Sequence, residues 1–119
     1  MKLEGLGWLG VRTERFEETV ALYRDVMGLR PYAEDAESAR FRLDNGTEIH
    51  VYGPADEFHE FFGAAPVVGF LVDDVERVRA EMEAAGIRFI GETQHNEVES
   101  WNHFAGPDRN VYEIVSRRR

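Results

Sequence analysis

At 119 residues, with 43% hydrophobic, 12% aromatic and 31% charged residues, the chain suits one compact globular domain with a packed interior. Its formal net charge of -9 opposes binding to nucleic acid or to an anionic bilayer, both of which need clustered Lys and Arg, and Arg117, Arg118 and Arg119 are expected to form no more than a solvated tail. The lack of cysteine excludes disulfides, thiolate metal sites and a Cys nucleophile; with no signal-peptide pattern in Met1–Trp8 and no run of the roughly 20 apolar residues a membrane span needs, a cytoplasmic protein is expected.

Leu6 to Val11 is short, apolar and glycine-punctuated, which fits a strand. Phe16, Val20, Tyr23 and Met27 recur at spacings of four, three and four, so they share one face of a helix that Gly28 stops. Strands are expected at Leu29 to Ala33, Ala39 to Leu43 and Thr47 to Tyr52, the last two joined by a tight Asp44-Asn45-Gly46 turn. After a linker from Pro54 to Pro66 the order repeats. Val67 to Val72 reads as a strand, Val75, Val78, Met82 and Ala85 share a helix face that ends at Gly86, and strands are expected at Ile87 to Ile90, Ser100 to Phe104 and Asn110 to Val115. Gly106-Pro107-Asp108 turns before the last of these.

Gly28-Leu29-Arg30 matches Gly86-Ile87-Arg88 at an offset of 58, and helix stop, turn and strand parity coincide in the two halves. The expected fold is therefore α+β: two tandem βαβββ modules, 1–53 and 67–119, joined by the linker 54–66 within a single domain. Their mixed sheets are expected to curl around a concave cavity, with the helices outside.

Three stretches carry a family likeness. Glu17-Glu18-Thr19-Val20-Ala21-Leu22-Tyr23-Arg24-Asp25-Val26-Met27-Gly28-Leu29 resembles the first helix of the vicinal oxygen chelate superfamily, which gathers glyoxalases, bleomycin resistance proteins and extradiol dioxygenases. Val72-Asp73-Asp74-Val75 resembles the lead-in to that family's second helix, and Gly106-Pro107-Asp108-Arg109-Asn110-Val111-Tyr112-Glu113 its final hairpin. The resemblance implies four metal-ligand positions, which fall here on Trp8, His50, Val67 and Glu113. Strand alternation independently puts these four on the face opposite Leu9, Val11, Ile49, Val51, Val68, Phe70, Tyr112 and Ile114, which are expected to pack under the helices.

Indole and isopropyl groups offer no lone pair to a cation, so Trp8 and Val67 are not ligands, and no metal or other cofactor is expected. Were a divalent Zn, Ni, Fe or Mn ion present, His50 and Glu113 would hold it, with help from His103 or from a ligand's oxygens. The reading reached is a metal-independent binding protein of the bleomycin-resistance-like type, holding a planar or apolar small molecule in the cavity between modules. Trp8, Tyr52, Val67, Trp101 and His103 are its candidate binding residues, with Trp8 either stacking on the ligand or filling the core, and Phe41 assigned to the core. The alternative is a glyoxalase-like lyase or isomerase, or a dioxygenase relative, that uses His50 and Glu113 as an acid/base pair or partial metal site.

The excess of acidic over basic residues, 23 against 14, favours a cationic or neutral ligand over a phosphate or dicarboxylate. Arg40 and Arg42 share one strand face that could receive a carboxylate, although exposed strand arginines are usually solvated. His59 lies in a linker run expected to form a short amphipathic helix or lid, and His95 in a polar loop. Exposed strand edges lead to the expectation of a homodimer.

Overall fold

The computed structural model describes residues 1–117; Arg118 and Arg119 of the basic tail lie outside the described residues. In chain order the elements are β1 (Gly5–Arg12), α1 (Phe16–Ala21), β2 (Pro31–Glu34), β3 (Ser38–Arg42), β4 (Glu48–Tyr52), β5 (Val67–Leu71), α2 (Val75–Ala84), β6 (Arg88–His95), β7 (Glu99–Ala105) and β8 (Val111–Arg117). This is βαβββ twice over, the α+β order expected from the repeat. The chain divides into two compact units, one running from Leu9 to Val67, the other formed by Met1–Trp8 with the chain from Val68 onward, so β1 contributes to both. No helix among the described residues is long and apolar enough to cross a membrane.

In the first unit β2, β3 and β4 are antiparallel neighbours, with Arg40 opposite His50 and Arg42 opposite Glu48. Alternation sends Ala39, Phe41, Ile49 and Val51 to one face, where they bury with Phe16 and Val20 of α1. Phe41 is fully buried beside Tyr23, and covering a side chain of that size stabilises by roughly 1.5–3 kcal/mol. In the second unit β5 runs parallel to β8, while β8, β7 and β6 are antiparallel. There Val72, Val75, Val78, Phe104 and Ile114 form the core, with Phe70, Met82 and Tyr112 packed against it.

The first helix departs from its expected register. After Ala21 the chain widens into a π-helix, Leu22–Val26, closed by Met27 N–H donating to the Leu22 carbonyl at 2.9 Å. The wider turn rotates the following residues off the apolar face. Phe16, Val20 and Tyr23 still face the core, but Met27 is 59% exposed, contrary to its expected place on that face. The second helix, capped by Asp74 accepting from Arg77 N–H at 3.1 Å, keeps Val75, Val78 and Met82 on the core face, but Ala85, expected there too, is its exposed C-cap. Both helices are followed by a glycine in the left-handed region, Gly28 at φ 76° and Gly86 at φ 92°, where a side chain would be strained. That shared need explains the glycine that opens each matching triplet.

β6 extends to His95, beyond the Ile90 limit expected, through an irregularity between Ile90 and Gln94 that contains Gly91 at positive φ. His95 therefore lies at a strand end rather than in a loop, with its Nδ1 2.8 Å from Ser100 Oγ. The linker carries one turn of 3-10 helix, Glu60–Phe62.

Candidate functional site

The face of β4 opposite the helix presents Glu48, His50 and Tyr52 in succession, because side chains two apart on a strand share a side. His50 Nε2 lies 2.8 Å from Glu48 Oε1, and His50 Nδ1 lies 3.0 Å from the Tyr52 hydroxyl. Glu48 also accepts from the Tyr32 hydroxyl at 2.5 Å, and from Arg42 Nε and Nη2 at 3.0 and 2.8 Å. Burial pushes the Glu48 carboxyl up, but donation from His50, Tyr32 and Arg42 outweighs it and holds the group down at about 2. Burial and the same carboxylate push the Tyr32 phenol up to about 12.

A carboxylate that is ionised at neutral pH can only accept, so the proton between it and the imidazole belongs on His50 Nε2. With His50 neutral, Nδ1 is then the acceptor and Tyr52 O–H donates to it. Tyr52 is buried and in turn stacks on His59, with ring centroids 3.7 Å apart and planes 13° from parallel. His59 Nδ1 is 2.7 Å from Asp56 Oδ2, and Phe62 closes against both Tyr52 and His59. The linker is thus tied to the site strand of its own unit by an aromatic stack.

The second unit holds another carboxylate–imidazole pair. His103 of β7 stands opposite Glu113 of β8, with Nε2 3.0 Å from Oε2, and both are buried. Trp8, 7% exposed, meets His103 edge-on at 6.2 Å between ring centres. Gly69 faces Glu113 across the parallel pair, and a Cβ there would come within 2.9 Å of Trp8 Cβ and 3.2 Å of Glu113 Oε1. Only a hydrogen at this position admits both groups. Trp101, two residues before His103, is half-buried on the same strand face, and Val67 is buried at the start of β5.

The residues singled out by sequence thus fall into two sets: His50, Tyr52 and Val67 in the first unit, and Trp8, Trp101, His103 and Glu113 in the second. His50 is hydrogen-bonded to Glu48, and Glu113 is paired with His103. Glu48, Tyr32 and Asp56 were missed, and Arg42, expected on a solvated strand face, instead donates to Glu48, while His59 of the linker pairs with Asp56. Glu48 had a signal, since Glu48-Ile49-His50-Val51-Tyr52 is a strict polar/apolar alternation. As a divalent-metal site the residues fit poorly, because Trp8 and Val67 bring no donor and both His50 ring nitrogens are hydrogen-bonded. Among the described residues no three His, Asp or Glu side chains are grouped to hold an ion.

Two tandem βαβββ units define the fold class of the chain. Residues 5–114 match the family model of the Glyoxalase/Bleomycin resistance protein/Dioxygenase superfamily, and the chain belongs to that superfamily. Among solved structures, a methylmalonyl-CoA epimerase from Mycobacterium tuberculosis aligns at TM-score 0.73 and 17% identity, covering 98% of this chain and 90% of that one. The Mn(II)-bound glyoxalase from Novosphingobium aromaticivorans aligns at TM-score 0.76 and 24% identity, with 97% of this chain covering 39% of that one. A superfamily member from Vibrio splendidus aligns at TM-score 0.66 and 17% identity, covering 97% and 99%. At these identities the likeness is one of fold. A comparison with curated proteins found no match.

Proposed function

We propose that the chain binds a planar or apolar small molecule without a divalent metal, in the manner of the bleomycin-resistance branch. The observation that carries this reading is the donor set: Trp8 and Val67 occupy two of the four ligand positions implied by the resemblance, and His50 has both ring nitrogens in hydrogen bonds. Elemental analysis, with calorimetric titration of zinc, nickel, manganese and iron(II), tests it. No stoichiometric uptake is expected, and tight binding of one ion per chain overturns the proposal. For a ligand found by thermal-shift screening of planar compounds, Trp8→Ala weakens affinity about tenfold if the indole stacks on it; unchanged affinity assigns Trp8 to the core. We further propose, from the exposed strand edges, a cytoplasmic homodimer, and a sedimentation mass of one chain at micromolar concentration overturns the dimer.

The Glu48–His50 hydrogen bond favours a second reading, in which the chain is a lyase or isomerase and His50 exchanges a proton with substrate. An imidazole oriented by an ionised carboxylate is built for that task. Glu113, paired with His103, is the second group of this reading. It predicts that His50→Ala and Glu113→Gln each abolish turnover of the bound compound while circular dichroism stays native. A ligand that is retained without product accumulating returns the reading to sequestration.

A further inference from the structure

The open face of β3 and β4 carries two arginines in contrasting states. Arg42 donates twice to Glu48, and its guanidinium lies 4.5 Å from the Tyr32 ring centre. Glu48 also takes Tyr32 and His50, so its acceptor positions are committed. Arg40, two residues before Arg42, stands opposite His50 on one side and opposite Ala33 of β2 on the other. Directly opposed side chains on an antiparallel pair start about 5 Å apart, so Arg40 and His50 leave β3 and β4 side by side on one face. Arg40 is exposed, and among the described residues its side chain makes no hydrogen bond or ion pair. Its charge reaches the Asp35 carboxylate, which is occupied by the backbone N–H groups of Glu37 and Ser38.

We propose that Arg40 is an anion-recognition residue and that the ligand bears a single carboxylate, held by the Arg40 fork next to His50. Two parallel N–H donors match the two oxygens of a carboxylate, a geometry that lysine cannot copy. The overall charge of -9 repels a phosphate dianion or a dicarboxylate more than a monoanion, so the local cation selects the singly charged class. This reverses, for one face, the preference for cations suggested by composition. It rests on the small-molecule reading above and names the chemistry of that molecule.

The test titrates the full chain by calorimetry with 2-naphthoate and with 2-naphthamide, planar compounds that differ in the charge of one group. The expected result is about a fivefold preference for the carboxylate, lost in about 1 M NaCl, where screening shortens to about 3 Å. Arg40→Gln removes the preference while leaving the amide affinity unchanged, and Arg40→Lys restores it only in part. A naphthoate preference that survives Arg40→Gln, or binding of both compounds without preference in the wild type, overturns the role of Arg40 and leaves small-molecule binding standing. Binding of neither compound overturns both, and an equal loss for both compounds in Arg40→Gln shows that Arg40 only supports the fold.

Discussion

Glu48 with His50, and Glu113 with His103, use the same two functional groups in opposite ways. Glu48 and His50 are neighbours on one strand face, and the carboxylate gathers donors from three elements, one of them an arginine with access to water. Glu113 and His103 sit on different strands, in the interior, beside Trp8 and close against Gly69. Both acids are buried, but Glu48 shares its charge with a network that reaches water through Arg42, whereas Glu113 faces His103 between two strands. Loss of a partner should therefore cost more in the second.

The largest expected effect follows directly. Glu113→Ala should destabilise the fold by about 3 kcal/mol in urea denaturation, because His103 is left in the interior without its carboxylate. Glu48→Gln should cost less at neutral pH, about 1 to 2 kcal/mol, because Arg42 can turn to solvent. Equal costs would erase the distinction between the pairs.

Next in size, Gly69→Ala should destabilise by about 2 kcal/mol through collision with Trp8 and Glu113, and should change Trp emission. A neutral result would mean that β5 moves away from both at little cost.

The pH dependence sharpens the contrast further. The folded Glu48 carboxyl lies at about 2, against an ordinary value of 4.5. Its contribution is thus present above about pH 4.5 and is lost as pH falls towards 2, amounting to about 2 kcal/mol after allowance for solvent. Unfolding free energies measured between pH 7 and 2 should show this slope in the wild type, and Glu48→Gln should flatten it.

The smallest effect belongs to the linker. His59→Ala removes the stack on Tyr52 and the bond to Asp56, and should cost about 1 kcal/mol. Proteolysis between residues 54 and 66 should accelerate, while the Glu113–His103 pair is unaffected.

These contrasts also show which parts of the molecule were legible from sequence. Period-two alternation on β4 and β8 put Ile49, Val51 and Ile114 into the cores and turned His50 and Glu113 to the other face. Local rules were enough for the glycines closing both helices, since each depends on residues within one turn. Met27 escaped because a π-turn changes the helical period without a distinct residue pattern. The partner of Glu113 escaped because which side chains meet across two strands depends on register, and His103 comes opposite Glu113 only once β7 and β8 have paired.

By itself, then, the sequence determined the repeated βαβββ order, the inward faces of strands and helices, and the absence of donors at Trp8 and Val67, all properties of residue type and short-range period. The tertiary structure decided which acid faces which histidine, that Arg42 is neutralised by Glu48 while the Arg40 side chain pairs with none of the described residues, and that His59 folds back onto Tyr52. Those outcomes depend on strand register and on packing between segments distant in the chain, where an interaction forms only after the backbone has brought both partners together.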